Sequence, residues 1–534
     1  MHLKTDTGAN AHFSSVPTIS RSRNAFSVAQ RHLTTIQFDY LYPLYTKYMY
    51  PGDTISLQEH ILARLSTQNS VLHDDLYFDV HAWFVPMRLI QTNWARFQFN
   101  AQPAGPSQDN SALTTPKIAL TSLTTGFGSK SLYDYFGFPT KGSSLAASTE
   151  HINNYLARSY NLIWNENYRD ENLQNPVTVD LGEGPDNPTN YVLLKRGKRH
   201  DMFTSCLPFQ QKGTAVSLPL GSTAPVKLSS SLAIYQQVRR ADTHALVDVG
   251  GIGSDASGNL DSDITKVVID PNNTLYADLA AATAATINQL RQSIAIQQLL
   301  EADARGGTRD VESIQHRWGV TVPDYRLQRP EYLGGQTFSF DGHIVPQTSA
   351  TVVGQTPQAN LTQFSQTISQ MNINHSFVEH GIFMVLISAR SNMTYQKGLK
   401  KELSYQTRYD FYQPEFANLG EVAVKNKEIY FNNDANDNLT FGYQEYGYEL
   451  RYGLNQVTGE FRSNYATSLD KQHMAEDYSS LPTLGATWIQ STTPISRNLV
   501  VSAATADPIH INSLTSGVIA RTLPMYSIPG LTRL

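Results

Sequence analysis

The run Ile55-Ser56-Leu57-Gln58-Glu59-His60-Ile61-Leu62-Ala63-Arg64-Leu65 decides how this chain folds. Its odd positions Ile55, Leu57, Ile61, Ala63 and Leu65 are apolar and its even positions mostly polar, with Glu59 and Leu62 breaking the rule. Period-two alternation marks a strand with one face buried, because successive side chains point to opposite faces. A second run, Leu76-Tyr77-Phe78-Asp79-Val80-His81-Ala82-Trp83-Phe84, repeats it as far as Pro86. Proline cannot donate to a ladder, so the strand ends there or lies at an edge. Pro51-Gly52-Asp53 turns the chain ahead of the first run. The stretch from Gln37 to Trp94 is a β-sheet nucleus without an enzyme motif.

Working outward, strand-like runs return at Gly381 to Ala389, Tyr446 to Tyr452, Leu499 to Ala503 and Ile509 to Ile511. In the second of these Tyr446, Tyr448, Leu450 and Tyr452 should share one face, opposite Glu449 and Arg451. Tyr155 to Asn167 carries Tyr155, Leu156, Leu162, Ile163 and Trp164, and a short helix ending near Asp170 is expected there. A longer, Ala-rich one is expected from Leu275 to Arg305, where Leu279, Ile287, Leu290, Ile294 and Leu299 recur at mostly helical spacing before Gly306-Gly307. Asn100 to Thr125 and Asn175 to Asn190 are loops. Gly221 to Asn273 is turn-rich with sparse apolar residues and should sit outside the main body. Met1 to about Ile36 is polar, lacks sustained periodicity and reads as an extended arm. Strands separated by very long connections argue for an antiparallel β-barrel or sandwich with grown loops, of jelly-roll type. Periodicity leaves the strand count open.

Composition narrows the function. The 534 residues are only 16% charged, against a usual share of about a quarter. The 28 tyrosines and many Asn, Gln, Ser and Thr take the polar positions, a balance that suits a surface covered by other copies. A large loop-rich β-protein would have the same balance. With a net charge of −5, nucleic-acid contact has to be local rather than a property of the whole surface. The single cysteine, Cys206, excludes a disulfide framework and a cysteine-based zinc cluster, and reads as a small buried hydrophobe. Met1 to Ser20 has no apolar core and Ile382 to Ile387 is the longest apolar run, so neither a signal peptide nor membrane insertion is expected.

No nucleophile elbow, His-Glu-x-x-His pair or Walker loop occurs, and no cofactor is expected. Gly250-Gly251-Ile252-Gly253 lacks the following Lys-Ser/Thr of a phosphate loop. His375 and His380 are read as structural, and Asp434, Asn436 and Asn438 as an Asx-rich turn rather than a calcium loop. The block Arg408 to Tyr412, with Arg451 and Tyr452, is either a stacking platform for single-stranded nucleic acid or tyrosines packed in core or subunit contacts. Arg21, Arg23 and Arg31, on the N-terminal arm, are the candidate phosphate contacts.

Several blocks carry a resemblance. They are Leu41-Tyr42-Pro43, Tyr50-Pro51-Gly52-Asp53-Thr54, Trp83-Phe84-Val85-Pro86-Met87-Arg88-Leu89 with Trp94, Tyr168 to Gln174, Leu300 to Arg309, Leu327 to Gly335, Phe377 to Gly381, Gln406 to Tyr412 and Tyr526 to Leu531. In that order they resemble the major capsid protein of the Microviridae, nearest the gokushovirus branch. The resemblance covers nearly the whole chain and is thin at Gly221 to Thr274. It implies an eight-stranded viral jelly-roll barrel with long loop insertions and a few helices. It further implies a T=1 icosahedral shell of many copies around a circular single-stranded DNA genome. Implied partners are a small internal DNA-binding protein, pilot and scaffolding proteins and a host cell-surface receptor. The implied setting is the virion, assembled in the bacterial cytoplasm.

On this reading residues 1–36 are an interior-facing arm and 37–220 the first part of the barrel. Residues 221–274 are a surface insertion forming a threefold protrusion used in host attachment, and 275–534 are the helix and the rest of the barrel. The alternative is a carbohydrate-binding or carbohydrate-active β-sandwich. It is weakened by the lack of a secretion signal and of a convincing carboxylate pair. A single-stranded DNA-binding protein is weakened by the acidic net charge.

Overall fold

The computed structural model describes residues 22–99, 113–140, 142, 144–214, 327–354, 358–500 and 506–526. Between 214 and 327 it describes 226–228, 238–240, 252–254, 260–262, 267–269, 275–277, 287–305 and 315–316. In chain order the strands begin with β1 (Asn24–Ile36), β2 (Tyr42–Met49), β3 (Thr54–Leu65) and β4 (Leu76–Pro86). Six three-residue strands follow: β5 (Val226–Leu228), β6 (Val238–Arg240), β7 (Ile252–Ser254), β8 (Leu260–Ser262), β9 (Val267–Ile269) and β10 (Leu275–Ala277). The last are β11 (Glu331–Ser339), β12 (Asp341–Pro346), β13 (Leu361–Ser376), β14 (Gly381–Ser391), β15 (Glu421–Lys425), β16 (Thr440–Glu445) and β17 (Ile509–Arg521).

Two antiparallel sheets build the barrel. The first runs β1-β17-β3-β13-β12 and the second β11-β4-β14-β2. Strands β1 to β4 alternate between the sheets, and the last strand, β17, returns to lie between β1 and β3, as in a jelly roll. Strand β12 adds a fifth member at one edge of the first sheet. Alternation in β3 becomes burial: Ile55, Leu57, Ile61, Ala63 and Leu65 all face the core. They meet Phe78, Val80, Ala82 and Phe84 of β4 and Phe383, Val385 and Ile387 of β14. Pro86 ends a central strand rather than lying at an edge, and Met87–Leu89 turns off it as a short 3-10 helix. The turn before β3 is closed by Asp53, fully buried, whose carboxylate accepts from Tyr50 N at 3.0 Å and from Arg521 Nη2 at 2.6 Å.

The two sheets differ in what lies behind them. Every residue of β14 is buried, the mark of a strand covered on both faces. Behind it Trp83, Val85, Ile382, Met384 and Leu386 pack against Tyr155, Tyr160, Ile163 and Trp164 of the helix Tyr155–Asn167, which starts where expected and ends three residues before Asp170. Under that helix Arg158 and Asp186, both buried, form a two-pronged pair at 2.7 and 2.6 Å. The remaining Arg158 donor reaches Ile90 O and Gly182 O at 2.8 Å. A third cluster joins Met202 and Phe203, which follow the helix Tyr155–Asn167, to Phe441, Tyr448 and Trp488 of the long connection between β14 and β17.

The chain divides into two compact units, Met1–Phe209 with Thr321–Leu534, and Gln210–Val320. Within the second, the short strands pair as β5 with β10, β6 with β9 and β7 with β8, all antiparallel. Of the helix expected from Leu275 to Arg305, Ile287–Arg305 is helical, whereas Leu275–Ala277 pairs with Val226–Leu228, a distant partner that local propensity cannot register. The expected strand Tyr446 to Tyr452 is also corrected. Gly447 takes φ +77°, which ends β16 and starts the 3-10 turn Tyr448–Leu450. Tyr448 is then buried, its hydroxyl donating to Glu428 at 2.8 Å, while Leu450 and Tyr452 are exposed. Leu499 bridges to Gln68, and the rest of the strand expected there, 501–503, lies outside the described residues.

Candidate nucleic-acid interface

Of the three arginines read from the sequence as phosphate contacts, Arg21 lies outside the described residues. The other two are held on the first sheet. Asn24–Ile36, within the stretch read as an arm, is a strand that pairs with β17 along its whole length. Just before it, Arg23 donates to Thr54 Oγ1 of β3 and to Ala520 O of β17, the latter at 3.3 Å, tying the strand end to its neighbour and to the strand beyond. Arg31 is exposed on β1, and its Nε donates to Asn512 Oδ1 of β17 at 2.9 Å.

The register extends this position into a surface. Arg31 lies opposite Leu514, which lies opposite His60, which lies opposite Gln370. One step along, Leu33, Asn512, Leu62 and Ile368 form the next row, followed by Thr35, His510, Arg64 and Gln366. Leu33 is 66% exposed and Ile368 74% exposed. Strands β1, β3, β13 and β17 together contain one acidic residue, Glu59, and it points into the core. Their outward face therefore offers Arg31, Arg64, His60 and His510 among amides, hydroxyls and aliphatics, and the carboxylate next to it is Asp341 of β12, opposite Gln366 at the sheet edge.

Glu59 explains its own exception to the alternation. It occupies an inward position, and Thr515 Oγ1 donates to it from β17. Burial pushes its carboxyl up to about 7, with the Thr515 and Ser513 hydroxyls opposing. The inner face is polar nearby: Gln363 Nε2 donates to Ser365 Oγ at 2.8 Å, and Ser365 Oγ to Gln68 Oε1 at 2.7 Å. Gln68 Nε2 continues to Asn498 Oδ1 at 2.8 Å, which ties the β14–β17 connection to the barrel.

The block Arg408 to Tyr412 is an exposed turn rather than core. Tyr409, Phe411 and Tyr412 are all exposed, Arg408 lies over the Tyr409 ring at 4.6 Å, and Tyr412 stacks on Tyr446 at 5.5 Å. Asp410 accepts from Thr407 N at 2.6 Å and Gln406 N at 2.9 Å, bonds that hold its carboxyl below the ordinary range. An ionised carboxylate in the middle of the block disfavours phosphate there. Arg451 is paired with Glu445.

The other sequence candidates are structural. His375 lies 3.7 Å from Glu331 and against Phe377, and His380 packs edge-on against Tyr50 and Trp94. Asp434 caps the turn Ala435–Asn438, accepting from Asn436 N at 2.7 Å. Cys206 is buried, and burial pushes its thiol up to about 12. Among the described residues, no helix is long and apolar enough to cross a membrane. Sequence reading missed His60, Arg64 and His510. Their signal is the want of acidic residues across four strands, and only the pairing brings those strands side by side.

Comparison with known proteins agrees with this architecture. A family described as Capsid protein (F protein) matches residues 14–531. Capsid protein VP1 of Bdellovibrio phage phiMH2K is 42% identical over 513 residues, covering 94% of each chain. Capsid protein VP1 of Chlamydia phage 1 is 36% identical with 98% of each chain covered, and that of Spiroplasma virus 4 is 33% identical with 96% covered.

Proposed function

From the premise that this chain belongs to the phage capsid protein (F protein) family, and is a structural major capsid protein of the Microviridae, we propose how it serves the shell. Its copies close into a T=1 icosahedral capsid around a circular single-stranded DNA genome, assembled in the host cytoplasm with scaffolding, pilot and small DNA-binding partners. The outward face of the first sheet meets the genome, with Arg23 and Arg31 as phosphate contacts and Arg21 extending them. The observation that carries this reading is that face itself, where Arg31, Arg64, His60 and His510 stand among exposed aliphatics and the five strands place one outward carboxylate, Asp341, at the β12 edge. A closed shell repeats it in every copy, so modest contacts become strong by number. Residues 221–274 are the part that meets the host receptor, as a protrusion at the threefold axes.

The test is negative-stain electron microscopy of the chain expressed alone and with its phage partners, with nuclease-protected DNA measured in the particles. Uniform closed particles holding circular single-stranded DNA are expected. Deleting 221–274 should leave those particles intact but unable to adsorb to cells. Discrete small oligomers under both conditions would overturn the shell geometry, and normal adsorption by the deletion would overturn the attachment role.

A further inference from the structure

The strands at the edges of the two sheets are β1 and β12 in the first, β11 and β2 in the second. Three of them touch another part of the barrel. His32 Nδ1 of β1 lies 2.8 Å from Leu44 O of β2, and Tyr135 Oη donates to Thr35 O of β1 at 2.9 Å. At the start of β11, Glu331 lies 3.7 Å from His375 of β13.

Strand β12 is different. Among the described residues it pairs with β13 alone, and Asp341–Pro346 is exposed at every position. Ile344 is 56% exposed and Val345 46%, although neighbours in a strand point to opposite faces. Both faces of the strand are therefore bare, as well as its edge. Edge strands are commonly blunted by a lysine or a bulge. β12 contains no lysine and pairs with β13 without a shift of register.

Two hydrogen bonds show which backbone groups are open. Phe340 N donates away from β13, to Leu76 O at 3.0 Å, whereas Gln347 N donates towards the β13 side, to Asn360 O at 2.9 Å. Alternation along an antiparallel strand then turns the N–H and C=O of Asp341, His343 and Val345 to β13, and those of Gly342 and Ile344 outward. An open row of this kind is satisfied by another strand.

We propose that β12 pairs antiparallel with β12 of a second copy, about a twofold axis at His343. The inference rests on the reading of the chain as a shell subunit, which supplies the copies. In this register Gly342 faces Ile344 of the partner subunit, so each outward N–H meets an outward C=O. Pro346, which has no N–H, faces Phe340 of the partner subunit, whose N–H is already given to Leu76 O. Centred on Ile344 instead, Pro346 would face Gly342 and leave the Gly342 carbonyl without a donor. The fit of the strand to itself argues for a copy rather than a foreign strand. His343, stacked on Phe364 with ring centres 5.5 Å apart, comes to the axis.

The experiment is oxidative cross-linking of His343→Cys, in the purified chain and in particles, read on a non-reducing gel. Residues at the axis form a non-hydrogen-bonded pair with Cα atoms about 4.5 Å apart, within the reach of a disulfide. The native Cys206 is buried and gives little background. Linked dimers are expected for His343→Cys, and far fewer for Val345→Cys, which the axis sets opposite Asp341 rather than itself. Ile344→Pro removes an outward N–H and no bond to β13. Added to His343→Cys it should cut the linked fraction by about tenfold, with an unchanged melting temperature. Particles without a link at His343→Cys, or equal linking by Val345→Cys or by folded Ile344→Pro, overturn the pairing and leave the shell reading intact. Linked dimers of a chain that never closes into particles overturn the shell reading and keep the pairing.

Discussion

The two sheets of one barrel share a core but live in different surroundings. The centre of the second sheet is buried on both faces, with Phe383, Val385 and Ile387 of β14 turned to the barrel interior and Ile382, Met384 and Leu386 to the helix behind. The first sheet buries one face only, and its other face leaves Leu33, Ile368 and Leu514 in solvent. Among the described residues that face has no covering. The difference teaches where the chain finds its own stability and where it keeps surface for others. Burial behind β14 is satisfied within the chain, whereas the face of β1, β17, β3 and β13 is left open among the described residues.

The largest effect that could break this contrast lies beneath the helix behind the second sheet. Arg158→Ala strands the buried Asp186 carboxylate and should cost about 3–5 kcal/mol in urea unfolding of the unassembled chain. A loss under 1 kcal/mol would mean that the covering layer contributes little to the fold. Next, Met384→Ala, on the covered face, should cost about 2–5 kcal/mol, while Ile368→Ala, on the bare face, should stay within about 0.5 kcal/mol. The second variant should instead reduce particle yield or DNA retention. Equal losses of stability from both would erase the distinction.

A third test uses pH, because each sheet holds a carboxylate shifted in the opposite direction. Glu59 of the first sheet is raised by burial from an ordinary 4.5 to about 7. Its contribution is fully present below about 4.5 and is lost as pH rises through about 7. Asp79 of the second sheet is opposed by burial, but Arg196 and Arg390 hold it down to about 2 from 3.8. Its contribution is present above 3.8 and is lost as pH falls through about 2. Glu59→Gln should therefore flatten the fall in melting temperature between pH 5 and 8, roughly the window of its titration. An unaltered slope would show that Glu59 is solvated. The smallest effect expected is at Arg31. Its replacement by Ala should lower the salt dependence of oligonucleotide binding by about one in the log–log slope, and leave melting unchanged. No change in the slope would remove Arg31 from the interface.

Much of this was legible from local pattern. The alternation at Ile55 to Leu65 and Leu76 to Phe84 gave both strands with their inward residues, and Tyr155 to Asn167 gave its helix, since each signal lies within a dozen neighbouring residues. Other features depended on distant partners. Leu275–Ala277 looks helical until Val226–Leu228 pairs with it. Tyr446 to Tyr452 alternates convincingly, but Gly447 at φ +77° turns it away. Asn24–Ile36 shows little period because one of its faces is bare and the other is mixed, so the strand is visible only beside β17.

By itself, the sequence determined the class of the fold, the family and the two founding strands, because periodicity and ordered motifs are local properties of the chain. Only the tertiary structure decided which faces are covered, that Glu59 belongs to the interior, and that Arg31, His60, Arg64 and His510 share one surface. These are consequences of register between strands hundreds of residues apart, as with Arg64 and His510. Pairing at such separation follows from how the whole chain packs, which no stretch of it encodes alone.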